Sequence, residues 1–292
     1  MPMNASAPSP SFAAAASQRD FVKLAFALGV LLALCYWQTV SSTAVLLTAS
    51  EDMAHGFFAP FVGGFLLWWN KDRLTPLGEP SLWAVPLLAL GLLLAVPGSM
   101  SASTTISRFG LLLSLAGATL VLGGTSLLKA VRFPLALLLY TFPIPSVLYG
   151  EITLPLQLLA SRLAEMSFEI LGYSVLREGN IIELSNQKLS VVEACSGLRS
   201  LVTLSFFTAV YGYLLENRNW VRVLLLVVAI PSAILINALR ITMTGVLGKF
   251  NPAWTKGTVH DVTGWVCFSI GFLLVLLVHF IVKRSTRKEQ AA

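Results

Sequence analysis

Apolar residues gather into long runs, and the polar residues fall mostly in the short breaks between them. Runs at about 21–40, 57–69, 82–96 and 109–128 are followed by a fifth that begins after Lys129 and Arg132 and closes near 149. Three more lie at about 197–215, 221–247 and 262–282. Most approach or reach the ~20 residues that a helix needs to cross a ~30 Å hydrocarbon core. Lipid offers the backbone no hydrogen bonds, so such runs fold as helices. The pattern therefore predicts an all-α integral membrane protein of about eight transmembrane helices.

One long connection, 151–195, breaks the rhythm. Within 152–172, Gln157, Ser161, Arg162, Glu165 and Glu169 fall on one stripe at helical spacing. This predicts an extracytoplasmic amphipathic helix, lying in the interface or packed on the bundle. Residues 180–184 and 188–192 flank Ser185-Asn186-Gln187, the pattern of a small hairpin. The chain then divides into a disordered tail rich in Ala, Ser and Pro (1–20), a transmembrane domain (21–282) and a basic tail (283–292).

Composition sharpens this picture. Of 292 residues, 56% are hydrophobic and only 12% charged, against about 25% charged in soluble domains. The net charge of +6 is what the positive-inside rule leaves on a membrane protein and implies no nucleic acid. With a cytoplasmic N-terminus, eight crossings return the C-terminus to the cytoplasm and put most of the 20 basic residues there. Segments 41–56, 98–108, 150–195 and 248–261 then lie outside. No internal repeat is visible, which speaks against transporters built from repeats. Three cysteines imply no disulfide framework. Cys35 and Cys267 sit within apolar runs and read as buried packing residues; Cys195 alone stands at a polar boundary. No metal-ligand cluster or nucleotide motif appears, so neither a metal nor a cofactor is expected.

The chemistry concentrates at Glu193-Ala194-Cys195-Ser196-Gly197-Leu198-Arg199-Ser200. Cys195 opens the sixth apolar helix from the outer side, and His260 opens the eighth from the same side. Arg240 lies seventeen residues beyond Val223, which at ~1.5 Å per residue is ~25 Å up a ~30 Å core. The three thus share one level. A neighbouring cation and a helix start both favour a thiolate. A histidine can carry the proton to a leaving amine, and an arginine can hold an oxyanion. Each residue also has a plainer reading. A boundary cysteine is more often structural, Arg240 can snorkel to headgroups, and His260 can be an ordinary interfacial histidine. Against this, charge inside a membrane marks a functional site by default. Arg199 rivals Arg240, or else pairs with Glu165 or Glu193. His55 rivals His260 as base, whereas His279 falls at the opposite end.

The cysteine stretch resembles the signature of the exosortases, the EpsH-related, eight-span proteins of the exosortase/archaeosortase family found in Gram-negative bacteria. Asn237-Ala238-Leu239-Arg240-Ile241, His260-Asp261-Val262-Thr263-Gly264-Trp265 and His55-Gly56-Phe57 extend the likeness. The resemblance implies a cysteine protease-transpeptidase with Cys195 as nucleophile, Arg240 as the substrate- or oxyanion-binding arginine and His260 as general acid/base. Glu193, Ser196, Gly197, Arg199, Asn237 and His55 would support the site or bind substrate. Its partners would be membrane lipids and the C-terminal sorting signals of tail-anchored exported proteins. Such a signal (PEP-CTERM) has a Pro-Glu-Pro motif, a transmembrane helix and a basic tail. Also implied are a bacterial inner-membrane location, a periplasmic active site, and a link to exopolysaccharide and biofilm surface-protein sorting. The acyl acceptor stays open. The rival readings are a membrane transporter, or a scaffold subunit of a polysaccharide export system that would tolerate loss of Cys195.

Overall fold

The computed structural model describes residues 12–289, apart from 51–52, 72–73, 75–78, 101–104, 186 and 192–196. The chain divides into two units, Met1–Pro143 and Ile144–Ala292.

In the first unit, α1 (Phe12–Cys35) and α2 (Trp37–Ala49) are separated by Tyr36 and bent by 71°. The first apolar run thus continues as helix well past residue 40, into the stretch 41–56 expected as an outer loop. Likewise α1 begins inside the expected 1–20 tail, of which 1–11 lie outside the described residues. The bend is anchored by a buried phenol: Tyr36 OH donates to Gly91 O at 2.6 Å and meets Ser114 Oγ at 2.8 Å. Next come α3 (Ala54–Trp69), α4 (Ala84–Met100) and α5 (Thr105–Leu137), the last followed by a 3-10 turn, Leu138–Thr141. At Gly117 of α5 an added Cβ would sit 2.6 Å from Leu88 N of α4, so only glycine allows these two helices their approach. The fourth and fifth apolar runs form this one helix, interrupted at Gly123 and Gly124, where φ is −156° and 61°. The break therefore falls at the glycine pair and not at Lys129. Arg108, expected in an outer loop, is buried in the first turns of α5, where its Nε donates to Thr43 Oγ1 at 2.8 Å. Cys35 is exposed on α1 and not the packing residue expected; Cys267 is buried, with Sγ 3.8 Å from Met243 Sδ.

The second unit runs α6 (Ser146–Ile170), β1 (Val175–Glu178), β2 (Ile181–Leu184), β3 (Gln187–Ser190), α7 (Leu198–Leu215), α8 (Asn219–Phe250) and α9 (Gly257–Glu289). The strands make an antiparallel meander, β1-β2-β3. The expected hairpin is there, with an added strand on its other side. Gly179, at φ 64°, makes the turn that brings β1 back, and the four residues of β1 are too few and too charged to stand out in sequence. α6 covers the expected amphipathic stretch and starts earlier. Ala160, Ala164 and Phe168 on α6 pack with Ile182, Leu184 and Val191 of the sheet and Ile241 of α8. Gln157 and Ser161 turn inward, and Gln157 Oε1 accepts from Asn180 Nδ2 at 3.0 Å. Glu165 pairs at 2.6 Å with Arg177 of β1, not with Arg199.

Helices α7, α8 and α9 share a core of Leu204, Val221, Leu225, Ala229, Ala233, Ile236, Cys267 and Val275. At one end of this trio lies a buried polar cluster. Glu216, which follows α7, accepts through Oε1 from the backbone N–H of Asn217 and Arg218, both at 2.8 Å, and from Arg218 Nε at 3.1 Å. Its Oε2 accepts from His279 Nε2 of α9 at 3.2 Å, and His279 Nδ1 meets Tyr211 OH of α7 at 2.6 Å. Arg222 of α8 closes the corner, its Nε donating to Glu216 O at 2.8 Å.

The protein is a mostly helical membrane protein. Among the described residues four helical segments are long and apolar enough to cross a membrane (α5 with its 3-10 turn, α7, α8 and α9). The bent α1–α2 pair makes five if it is one span. This is fewer than the eight expected, because α3 and α4 are short and two apolar runs merged in α5.

Glu216→Ala leaves His279 and two backbone N–H groups without their acceptor. We expect a loss of about 3 kcal/mol, the scale of a broken buried ion pair, measured by thermal unfolding in detergent, with Glu216→Gln losing less. The hydrogen bonds from Arg218, then those of the backbone and His279, hold the Glu216 carboxyl down at about 2, against an ordinary 4.5. A depressed carboxylate stabilises the fold above its unfolded pKa, and that stabilisation is lost as pH falls towards 2. The wild-type advantage over Glu216→Gln should therefore be full at neutral pH and shrink below pH 4.5.

Candidate active site

Asn237 and Arg240 lie one turn apart on α8, a separation that puts both on the same face. His260 lies in the first turns of α9, and Gly264 one turn further along. Packing of α8 against α9 brings Arg240 Nη2 to 2.8 Å from His260 Nε2. A guanidinium has no acceptor, so Arg240 donates and His260 Nε2 accepts. The ring is therefore neutral with its proton on Nδ1. His260 Nδ1 and Arg240 Nε are both buried and have no hydrogen-bond partner among the described residues. Each is a donor left open among the described residues. His260 also feels the charges of Asp261 and Arg199, so Arg199 belongs to the same electrostatic neighbourhood. The guanidinium lies along the bare backbone of Gly264: a Cβ there would stand 3.6 Å from Arg240 Cζ and Nη2.

The start of α7 is tied to this pair through Asn237. Gly197, just ahead of α7, has φ 79° and ψ −14°, a left-handed conformation that favours glycine. An added Cβ at Gly197 would lie 3.0 Å from Asn237 Nδ2. The left-handed backbone thus favours glycine two residues after Cys195, and the neighbouring amide leaves little room for a side chain. Asn237 is 2% exposed, so its amide fills the joint between α7 and α8.

Of the residues singled out in sequence, Arg240, His260, Asn237, Gly197 and Arg199 fall in one neighbourhood of the second unit. Cys195, Glu193 and Ser196 lie outside the described residues. His55 belongs to the first unit, buried with its ring edge-on to Tyr140 at 6.1 Å. Sequence reasoning passed over Gly264; its position four residues after His260, on the same helical face, was the available signal.

The two histidines of α9 make a useful contrast. His279 is saturated, with Tyr211 on Nδ1 and the Glu216 carboxylate on Nε2. His260 has one nitrogen engaged by a cation and the other left open. Only the second arrangement leaves a ring available to a reacting group.

Comparison with known proteins agrees with the motif evidence. Among curated proteins and among solved structures, nothing matches the chain. The transmembrane exosortase family (Exosortase_EpsH) matches residues 37–277, a span that includes all four motifs and most of both units. With that match over most of its length, the chain belongs to the transmembrane exosortases.

Proposed function

We propose that this exosortase is a membrane-embedded cysteine transpeptidase that cuts C-terminal sorting signals through Cys195, assisted by Arg240 and His260. The observation that carries the reading is the 2.8 Å contact between Arg240 and His260. It joins two motifs twenty residues apart, both marked from sequence as parts of one site. Asn237 against Gly197 brings the cysteine motif to the same corner.

In the resting arrangement Arg240 caps the lone pair of His260 Nε2, so the ring cannot yet take a proton. In our reading, the substrate carbonyl draws the guanidinium away. Arg240 turns from His260 to the carbonyl oxygen, freeing Nε2 to accept the thiol proton of Cys195. The thiolate attacks the carbonyl carbon, and Arg240 holds the oxyanion. The C–N bond then breaks, the proton passes from His260 Nε2 to the leaving amine, and the acyl group stays on Sγ as a thioester. An acceptor nucleophile takes the acyl group and restores the thiol. The start of α7 adds its dipole to the stabilisation of the thiolate. Glu193, Ser196 and Arg199 support this corner.

The substrates are tail-anchored exported proteins whose signal comprises Pro-Glu-Pro, a membrane helix and a basic tail. The site faces the periplasm, both termini are cytoplasmic in the inner membrane, and the products serve surface-protein sorting alongside exopolysaccharide. These assignments follow the family likeness and the distribution of basic residues.

Cys195→Ala should leave a co-expressed Pro-Glu-Pro-tailed substrate uncut, judged by the mass of its C-terminus. The wild type should form a hydroxylamine-sensitive acyl-enzyme. Processing at the wild-type rate by Cys195→Ala would make the protein a scaffold instead.

Arg240→Lys keeps the charge but loses the planar fork. It should lower turnover about 100- to 1,000-fold, as loss of an oxyanion donor does, at normal protein level. A dead Arg199→Lys beside a working Arg240→Lys would exchange the two roles.

Gly264→Ala should process normally, because its Cβ makes ordinary contact with Arg240. Gly264→Leu should lose most activity by displacing the guanidinium. Equal activity of both variants would show that Arg240 does not work from this position.

A further inference from the structure

The sheet of the second unit has a free edge. In an antiparallel pair, hydrogen-bonded and non-bonded residue pairs alternate. Val191 N donates to Asn180 O at 2.9 Å, so in the observed register Leu189 and Gln187 also bond across to Ile182 and Leu184. The backbone groups of Lys188 and Ser190 must then point away from β2. Both residues are exposed, and no described residue bonds to these outward groups. Proteins normally blunt such an edge, since it is a template for another strand. The opposite edge, on β1, is tied to α6 through Arg177 and Glu165. Among the described residues the β3 edge has no such cover.

The edge carries one exposed cation among the described residues. Lys188 projects from it with its side chain 68% exposed. Beside β3, Gly248 of α8 packs on Gln187. Glu183, 3.1 Å from Lys188, is itself 43% exposed, and an exposed pair of this kind binds its lysine weakly.

We propose that the β3 edge binds the Pro-Glu-Pro segment of the sorting signal as a fourth, antiparallel strand, with the motif glutamate opposite Lys188. This rests on the transpeptidase reading above and names how its substrate is held. In an added strand, alternate residues face the sheet. The glutamate N–H donates to Lys188 O, and Lys188 N–H donates to the glutamate carbonyl. The two prolines face away, where a missing N–H costs nothing; proline is admitted at such positions on edge strands. A directly opposite carboxylate and ammonium form a favourable cross-strand pair. A segment with one usable N–H between two prolines thus suits this edge. Lys188 lies seven positions ahead of Cys195 in sequence, so the edge presents the signal within a short length of chain from the nucleophile.

The test uses the full-length protein in detergent and synthetic peptides spanning the motif, helix and basic tail. Cleavage is followed with the wild type and dissociation constants with Cys195→Ala. N-methylation of the motif glutamate removes its only backbone donor to the edge and should raise the dissociation constant about tenfold or more. In the protein, Lys188→Pro removes an N–H that β2 does not use. It should weaken the parent peptide to a similar degree, whereas Lys188→Ala, which keeps the N–H, should cost only a few-fold. Binding of the N-methylated peptide as tightly as the parent, with the parent still cleaved, overturns the edge assignment and leaves the transpeptidase reading intact. A parent peptide that the wild type never cleaves overturns both.

Discussion

Everything in the second unit follows from one constraint: polar groups at either end of an apolar helix must find partners before lipid begins. On α9, nineteen residues separate His260 from His279, about 28 Å at ~1.5 Å per residue. Nineteen also separate Gly197, at the head of α7, from Glu216, which follows it. On α8, eighteen separate Arg222 from Arg240. Each interval matches a hydrocarbon core of ~30 Å. Three helices of nearly equal end-to-end length meet their partners at both ends in one mutual register. Slippage by one turn, ~5.4 Å, would strand Glu216, His279 and Arg240 together. The cluster of Glu216, His279, Tyr211 and Arg222 is therefore the anchor that keeps Arg240 level with His260 at the far end.

The two ends solve the same problem in opposite ways. Around Glu216 every strong donor and acceptor is matched, and an arrangement of that kind resists change. Around Arg240 the matching is deliberately incomplete: a buried Nε and a buried Nδ1 have no described partner, and a cation donates to a neutral ring. Unsatisfied buried donors are costly, so they persist where a ligand or reacting group completes them.

Much of this site was legible because membrane burial makes polar residues rare. With few charges in apolar runs, Arg240 and His260 stood out, and counting residues placed them at one depth. His279, at the opposite end from His260, is a structural residue as its position implied, saturated by Tyr211 and Glu216. Depth says nothing of lateral neighbours, so Glu165 pairing with Arg177 and not Arg199 was beyond reach of the sequence. Short strands carry little periodicity, which hid β1. Breaks within continuous apolar runs were equally obscure. Tyr36 bends a run that hydropathy treats as uniform, and Gly123-Gly124 interrupts α5 where the basic residues at 129 and 132 drew attention instead.

The cysteine motif shows why some of its letters are fixed by backbone and others by chemistry. Gly197 has no reactive atom, yet its φ of 79° and the amide of Asn237 at its face exclude a side chain. A left-handed residue immediately before a helix turns the incoming chain sharply. Asn237 sits one helical turn from Arg240, so the group that seats the turn and the group that meets His260 are carried by the same stretch of α8. A shift in α8 would move both together. The joint between α7 and α8 and the contact between α8 and α9 are thus one mechanical element, through which Gly197 is held in step with Arg240 and His260.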